Sequence, residues 1–252
     1  MKYGLQLYSV RDAAQVNFED TLRRVAEMGY SMVETAGFFG LPANEVKAML
    51  DHYGLTVCST HTNHREVFHD FYRTLEYHKG IGCKNIILPS APTATKEDID
   101  YTVANINRLL PLIEEEGLKL HYHNHSREFM PNSDGLIAEE ELAKRTAVLF
   151  ELDTFWVFSA GLDPVATMEK YRDRSLLIHL KDGIEQDWSN PDSRAKGRSV
   201  GSGHAPVAAV RAKAIEMGLD IVIESEGLDP TGPEEAKRCI DFLRGLDAKD
   251  GR

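Results

Sequence analysis

Eight cycles of a short β-rich run followed by an amphipathic helix, repeating about every 30 residues, predict one α/β domain folded as a closed (β/α)8 barrel. The chain has 252 residues, 42% hydrophobic and 27% charged, which suits a single domain with a substantial core. A doubly wound open sheet is the main alternative, but it usually has fewer strands and a glycine-rich phosphate loop after the first strand. Here SVRD follows the first strand, and neither G-x-G-x-x-G nor G-x-x-x-x-G-K-S/T occurs, so the sequence has no nucleotide-binding signature.

The first four cycles each pair a β-rich run with a helix that ends at or near a glycine. The strands read YGLQLYS, SMVETAG, LTVCSTH and KNIILPS. Their helices are expected over residues 18–29, 42–54, 67–79 and 96–116. Asn17 is a suitable N-cap for the first helix, and Gly29 ends it.

The last four strands read LKLHYHNH, AVLFELDT, SLLIHLKD and LDIVIESEG. Their helices are expected over residues 138–144, after Asp163-Pro164, and over residues 206–217 and 233–243. The barrel is therefore expected to span residues 1–246, and residues 247–252 to form a polar tail that frays. The connection 183–204 is long and rich in Asp, Ser, Gly and Arg, so we expect it to lie over the active face as a lid.

Composition and charge exclude several classes of partner. The net charge of −11 argues against nucleic acids, which normally meet a basic surface. No run of about 18 apolar residues occurs, so no membrane span is expected, and MKYGLQLYSVRD does not resemble a signal peptide. Cys58, Cys83 and Cys239 are few and widely spaced, so we expect reduced thiols in a cytoplasmic protein. Barrels of this size often dimerise, so a homodimer is the assembly to test.

Residues 118–129, LKLHYHNHSREF, place three histidines and a glutamate at one strand end. In a strand, His121, His123 and His125 share one face because side chains alternate. Glu128 follows three residues later. Imidazole and carboxylate groups together are ligands for Mn, Fe, Co or Zn. The alternative is a surface strand whose histidines are satisfied by hydrogen bonds.

Barrel geometry brings the carboxyl ends of all eight strands together at one face, where active centres form in this fold. Asp153 and Glu224 each end an apolar run, and a buried acid costs several kcal/mol unless it is paired or metal-bound. Either residue alone could equally be a helix cap or part of a salt bridge. Together with His179 and the fifth-strand cluster they predict a metal site. The residues at the strand ends are Gln6, Tyr8, Glu34, His61, Pro89, His123, His125, Glu128, Asp153, His179, Lys181, Glu224 and Glu226.

The motifs YHNHxxEF, FELDTxW, GxDPV, IHLKD, VGSG and IVIESE, with GLQLYSVRD at the start, resemble the sugar phosphate isomerase/epimerase superfamily of xylose isomerase-like barrels. The resemblance covers nearly the whole chain, and its motifs come in the right order. It implies one divalent cation held by a Glu, Asp, His, Glu quartet from strands five to eight. Asp153, His179 and Glu224 match the last three of these ligands.

This sequence departs from that pattern at two places. Many epimerases have a glutamate inside the fifth strand, whereas HYHNH stands here and the first acid is Glu128. Either Glu128 completes the metal shell, or His123 substitutes for it. Trp156 stands where several epimerases have a substrate-binding histidine, and it could supply a stacking wall for a sugar ring. Both departures argue against assigning to this chain the mechanism of such epimerases, in which two glutamates exchange the proton with the substrate.

The resemblance and the residue set imply a divalent-metal-dependent sugar isomerase or epimerase. It would remove a proton next to a carbonyl and stabilise the enediolate on a bound Mn, Fe, Co, Zn or Mg ion. The catalytic candidates are Glu128, Glu224, His123, His125 and Lys181. The metal candidates are Glu128, Asp153, His179 and Glu224. The substrate-binding candidates are Tyr8, Glu34, His61, Trp156, His204 and Glu226.

Other functions fit less of the sequence. A lyase or hydratase that eliminates across a 3-oxo-sugar or 3-oxo-glycoside is the main alternative, because histidines stand where a glutamate base would be expected. A non-catalytic sugar-binding barrel does not need the intact ligand set. A DNA-repair endonuclease of the same superfamily needs a basic face, which the charge of −11 opposes. We expect a small sugar or sugar derivative as substrate, without a dedicated phosphate cradle.

Overall fold

The computed structural model describes residues 1–190 and 192–251. Within them, eight parallel strands close into a barrel, in the order β6-β5-β4-β3-β2-β1-β9-β7, and pairing of β6 with β7 completes the ring. The predicted (β/α)8 barrel is confirmed. A ninth short strand, β8, pairs antiparallel with the end of β7 outside the ring. The strands are Gly4–Gln6 (β1), Met32–Ala36 (β2), Thr56–His61 (β3), Asn85–Leu88 (β4), Lys119–His123 (β5), Leu149–Asp153 (β6), Ser175–Ile184 (β7), Lys196–Arg198 (β8) and Asp220–Glu224 (β9).

The helices surround the barrel, and most of them lie where the sequence predicts. None of the described helices is long and apolar enough to cross a lipid bilayer. The α-helices in the described part of the chain are Arg11–Ala14 (α1), Phe18–Met28 (α2), Ala43–His52 (α3), His64–His69 (α4), Phe71–Ile81 (α5), Lys96–Glu115 (α6), Ala138–Arg145 (α7), Thr154–Ser159 (α8), Pro164–Lys170 (α9), Val207–Met217 (α10) and Gly232–Lys249 (α11).

Two helical segments differ from the predicted pattern. The single helix expected over residues 67–79 is two helices, because Asp70 leaves the helical conformation at φ −125° and ψ 42°. The break allows Phe68 and Phe71 both to be buried. The short helix α8, which the sequence did not predict, starts directly at the end of β6, and the side chain of Asp153 caps it by accepting a hydrogen bond from the backbone N–H of Trp156 at 3.0 Å.

Apolar side chains fill the space between the strands and the helices, but the barrel interior is different. Ile87, Leu177 and Val222 form a small separate apolar cluster. Two residues further along their strands stand His179 and Glu224, which are buried and ionisable. The upper half of the barrel interior is therefore polar, and this is the half from which the strands open into the mouth.

The connection predicted to be a lid is tied down by one buried carboxylate. Asp182, 1% exposed, accepts hydrogen bonds from the backbone N–H groups of Gly183 and Ala205 through one oxygen, at 2.8 and 3.1 Å. Its other oxygen accepts from those of Gly201 and Gly203, at 2.9 and 2.8 Å. A β-carbon at residue 203 would lie 2.3 Å from Asp182 Oδ1, so this position requires glycine. The β7–β8 hairpin and this clamp hold both halves of the connection.

The C-terminal boundary also differs from the prediction. Helix α11 continues to Lys249, so residues 247–249 belong to the barrel domain and do not form a frayed tail. Asp247 is buried and accepts hydrogen bonds from the Tyr3 hydroxyl at 2.7 Å and the N-terminal amine at 3.2 Å. It also forms an ion pair with Arg211. The polar composition of this segment reflects a buried network with helix α10 and the N-terminus.

We predict that Asp182→Asn destabilises the protein by about 2–3 kcal/mol, because an amide group can accept at only one of its two atoms and faces backbone donors with the other. Urea unfolding gives the loss of stability, and hydrogen exchange of the Gly201 and Gly203 amides locates it. The matched control is Asp173→Asn, on the surface, where we expect a change within about 0.5 kcal/mol. Equal stability of the two variants, with unchanged amide protection, would contradict the clamp.

Candidate functional site

A cavity of about 450 Å³ opens at the carboxyl ends of the strands. Histidines and acids from three strand ends, those of β3, β5 and β9, reach it, as the barrel geometry predicts. Its lining residues are Tyr8, Ala36, Gly37, Phe38, His61, Thr62, Asn63, Glu66, Pro89, His123, His125, Glu224 and Glu226.

Three buried side chains converge at the floor of this cavity. The Nδ1 atom of His179 lies 3.5 Å from Glu224 Oε2 and 4.0 Å from Asp153 Oδ2. The ligand atoms of all three lie within 4.8 Å of one another. His179 Nδ1 and Asp153 Oδ2 are buried and have no hydrogen-bond partner in the described structure. The helix cap of Asp153 uses only its other oxygen, Oδ1.

Unpaired buried acceptors are costly, about 1–3 kcal/mol each, so such a pair needs an explanation. A cation between Asp153, His179 and Glu224 would satisfy both atoms. Two carboxylates and one imidazole form a donor set suited to Mn, Fe, Co or Zn. The side chains present therefore fit one divalent cation. They are the three residues that the sequence predicts for strands six to eight.

A second layer of ionisable groups lies beneath these three. Glu151 Oε2 is 2.8 Å from His61 Nε2 and 3.1 Å from His123 Nδ1. Glu34 Oε2 is 2.5 Å from His179 Nε2 and accepts a hydrogen bond from the Gln6 amide at 2.8 Å. His61 and His179 stack, with ring centroids 5.2 Å apart and planes at 14°.

The bond between His179 and Glu34 fixes the orientation of the imidazole. An ionised carboxylate can only accept, so Nε2 of His179 carries the proton that it donates to Glu34. When Nδ1 carries no proton, as a bound cation would require, its lone pair faces Asp153 and Glu224. This is the carboxylate–histidine arrangement that positions metal ligands in many proteins.

The two glutamates of the lower layer have opposite pKa shifts. Burial raises the pKa of Glu151, and the charge of Glu34 raises it further. Burial also acts to raise the pKa of Glu34, but His61 and His179 outweigh it, so this pKa is lowered. Glu34 therefore remains the ionised partner of His179, and Glu151 is the more easily protonated of the pair.

Burial acts to lower the pKa of His179, but Glu151, Glu34 and Glu224 outweigh it and raise this pKa, whereas the pKa values of His123 and His125 are shifted downwards. Burial lowers the pKa of both His123 and His125, and neighbouring histidines lower that of His123 further. Both rings are therefore neutral near pH 7. His125 lines the cavity, and its Nδ1 is buried without a partner among the described residues. Its ring lies against Trp156, with centroids 5.6 Å apart.

Lys181 is a fully buried cation beside the three converging side chains. Its Nζ lies 2.5 Å from Glu226 Oε2, 3.1 Å from Glu224 Oε2 and 4.7 Å from the centroid of the Trp156 ring. Burial acts to lower the pKa of Lys181, but Glu224, Asp153 and Glu226 outweigh it and raise the pKa. The ammonium group therefore stays charged and holds Glu224 and Glu226 together.

Glu128 lies elsewhere than the sequence suggests. The turn Ser126–Phe129 reverses the chain, and the carboxylate of Glu128 points back under the strand end. It accepts hydrogen bonds from the Tyr122 hydroxyl at 3.2 Å, the backbone N–H of His125 at 2.8 Å and Arg127 Nε at 3.0 Å. Its oxygens are not within the 4.8 Å group of Asp153, His179 and Glu224. The geometry therefore supports Glu128 as a brace for His125, in place of the expected metal ligand.

Three predicted substrate-binding residues also lie outside the cavity lining. Glu34 is fully buried beneath the mouth, where it contacts Gln6 and His179. Trp156 packs behind His125 and Lys181. His204 is 59% exposed on the long connection and pairs with Glu185 at 2.8 Å. Tyr8, His61 and Glu226 do line the cavity, as does the catalytic candidate His123.

Glu151 is the residue that sequence reasoning overlooked. It stands two residues before Asp153 in β6, so strand alternation places both side chains on the inner face. The same rule that identified Asp153 could have found it. Its position inside the apolar run VLFEL concealed it.

Comparison with known proteins agrees with this architecture. The profile of a family described as a xylose isomerase-like TIM barrel matches residues 22–246. Inosose dehydratase of Geobacillus kaustophilus is 25% identical over 89% of this chain and 87% of that protein. The 2-oxo-tetronate isomerase of Haemophilus influenzae is 27% identical over 56% of this chain and 65% of that protein. A sugar phosphate isomerase/epimerase structure from Parabacteroides distasonis has a TM-score of 0.81 and 26% identity, covering 96% of this chain and 97% of that one.

We predict that Glu34→Gln weakens divalent-cation binding about 10–100-fold while leaving the barrel folded. The amide keeps the size of the side chain but removes the charge that orients His179. Titration of the metal-free protein with Mn²⁺ or Zn²⁺ measures the effect, and circular dichroism checks the fold. The control Glu66→Gln changes a carboxylate that lines the cavity away from His179. An unchanged affinity in Glu34→Gln would show that the hydrogen bond does not position the ligand.

Proposed function

Because the chain belongs to the xylose isomerase-like TIM barrel family, we propose that it is a divalent-metal-dependent enzyme that removes a proton next to the carbonyl of a sugar or polyol ketone. The observation that carries the proposal is the pair of unpartnered buried atoms, His179 Nδ1 and Asp153 Oδ2, beside Glu224 at the floor of a cavity. Asp153, His179 and Glu224 would hold the cation, which when bound supplies a Lewis acid for the carbonyl oxygen and the adjacent hydroxyl of the substrate.

His125 is the group best placed to take the proton. It lines the cavity, it is neutral because burial lowers its pKa, and its Nδ1 has no protein partner among the described residues. Trp156 packs against the ring of His125, and Glu128 accepts a hydrogen bond from the backbone N–H of His125. Support for both the ring and the backbone of His125 would hold the base in a fixed position for proton abstraction from carbon.

Lys181 forms ion pairs with the carboxylates of Glu224 and Glu226 and contributes one positive charge at the mouth of the barrel. Its ammonium group holds Glu224 at 3.1 Å and Glu226 at 2.5 Å, so both acids keep fixed positions. Glu226 and Glu224 line the cavity, where they can accept hydrogen bonds from substrate hydroxyl groups. Tyr8 and His61 provide further hydrogen-bonding groups on the side of the cavity formed by β1 and β3.

Among the reactions that follow proton removal, we favour elimination. The base takes the proton from the carbon next to the carbonyl, a carbon–carbon double bond forms, and the oxygen on the next carbon leaves with a proton supplied by an acid. His125 becomes an imidazolium when it takes the proton, and it can return that proton to the leaving oxygen, which departs as water; the neutral ring of His123, with its centroid 5.2 Å from that of His125, lies beside it. The similarity to proteins named inosose dehydratase supports this outcome.

Isomerisation is the second candidate, supported by the similarity to 2-oxo-tetronate isomerase and to the sugar phosphate isomerase/epimerase structure. A two-glutamate proton shuttle would need a second acid beside Glu224. Glu128 is buried below the strand end and Glu226 is bound by Lys181. This arrangement favours imidazole chemistry over such a shuttle.

We predict that Asp153→Ala and His179→Ala each weaken divalent-metal binding at least about 100-fold, because each removes one of three ligands from a small buried site. Glu128→Gln should keep the metal, since Glu128 contacts Tyr122, Arg127 and the backbone of His125. Elemental analysis after dialysis and Mn²⁺ titration measure all three. Full metal occupancy in both alanine variants would contradict the proposed metal site. Loss of metal in Glu128→Gln alone would show that Glu128 is a metal ligand.

We predict that His125→Ala lowers turnover about 10²–10⁴-fold with the metal retained, as expected for loss of a general base. The assay follows ketoses and inososes by NMR in D₂O with the metal-loaded enzyme. Elimination gives an unsaturated or rearranged ketone, whereas isomerisation gives an exchanged ketose with its oxygens intact. His69→Ala, on helix α4 outside the cavity lining, is the control. Wild-type turnover in His125→Ala would assign the base to another residue.

A further inference from the structure

A second cavity, of about 680 Å³, lies beside the one at the metal-ligand candidates. The loops after β3, β4 and β5 each contribute residues to both cavities. Asn63, Pro89 and His125 line the first, and their neighbours His64, Ser90 and Arg127 line the second. The two cavities are therefore adjacent across three loops, and a molecule larger than a single sugar ring could extend from one into the other.

The second cavity is mainly apolar and contains one exposed aromatic ring. Trp188 is 46% exposed, and its indole N–H donates a hydrogen bond to the backbone carbonyl of Ser159 at 2.6 Å. The ring is thereby anchored, and its polar atom is satisfied. Pro92, Pro131 and Met130 supply further apolar surface. Such a fixed aromatic ring offers stacking to a flat partner.

Two polar side chains of this cavity are held by several or capping hydrogen bonds: Asn132 bonds to Thr93, Asp134 and Leu136, and Asp98 caps helix α6. Arg127 is the one side chain of the lining that always carries a positive charge. Its Nε is fixed by Glu128 at 3.0 Å and its side chain is 60% exposed, while its terminal nitrogens make no protein hydrogen bond in the described structure.

This chemistry selects the occupant. A second sugar ring carries several hydroxyl groups, each needing a partner when it is buried, whereas the surface of this cavity is mainly apolar. An aromatic ring with an anionic oxygen needs one stacking surface and one cation, which Trp188 and Arg127 supply. We propose that the second cavity binds an acidic aromatic group attached to the reacting sugar, so that the substrate is an aryl glycoside whose sugar ring carries a ketone, rather than a free sugar.

The identity of the sugar end rests on the proposed function, but the aryl site can be tested by binding alone. Isothermal titration of the metal-loaded full chain would compare 4-carboxyphenyl and methyl β-glycosides of glucose, galactose and xylose. The expected result is at least about tenfold tighter binding of the aryl member for one sugar or more. Trp188→Ala and Arg127→Met should each remove most of this preference. Tyr72→Ala changes an aromatic ring that is 74% exposed on helix α5, and it should keep the preference.

Absence of an aryl preference in all three pairs would overturn the inference, as would a preference that persists in both Trp188→Ala and Arg127→Met. Thermal unfolding of each variant confirms that the fold is kept. The measurement needs no turnover, so it separates the two proposals. An aryl preference in the binding test, with no proton exchange of the ketoses and inososes in D₂O, would overturn the proposed reaction alone. Proton exchange of a ketose or inosose, with no aryl preference in the binding test, would overturn the proposed role of the second cavity alone.

Discussion

The position of the His179 ring is the constraint on which the site depends. One nitrogen donates to Glu34 at 2.5 Å, and the other faces Glu224 and Asp153 at 3.5 and 4.0 Å. Glu34 and His179 are 145 residues apart in the chain, so only closure of the barrel brings them together. The hydrogen bond fixes both the tautomer and the direction of the free lone pair. A barrel that closed with a shifted register would place the same residues without forming a ligand set.

Burying so many ionisable groups opposes folding, and pairing offsets part of this cost. Glu34 contacts two histidines and Glu151 contacts three, and the amide of Gln6 donates a further hydrogen bond to Glu34. Several buried polar atoms have no partner among the described residues, and three of them, Asp153 Oδ2, His179 Nδ1 and His125 Nδ1, lie at or beside the cavity floor. Such a group beside a cavity marks a part of the barrel that is arranged for a ligand at the expense of stability.

The sequence predicted the barrel because its repeats are regular, and it predicted Asp153, His179 and Glu224 because each follows an apolar run in its strand. Strand alternation is a local rule, so it works without knowledge of the tertiary structure. Glu128 follows a strand end, where the turn Ser126–Phe129 decides the direction of the side chain, and alternation no longer applies. The role of Glu34 could not be read from its own segment, because its partner is on a strand far away in the chain.

The charges at the mouth explain why the site suits a divalent ion. Asp153, Glu224 and Glu226 carry three negative charges when ionised, and Lys181 carries one positive charge. With His179 neutral, two negative charges remain, which one divalent cation would balance. Burial raises the pKa of Asp153 to about 7, and Glu224 adds to this rise while Lys181 opposes it. The protein alone therefore disfavours the ionised form of Asp153, and a cation at His179 Nδ1 is the partner that would stabilise it.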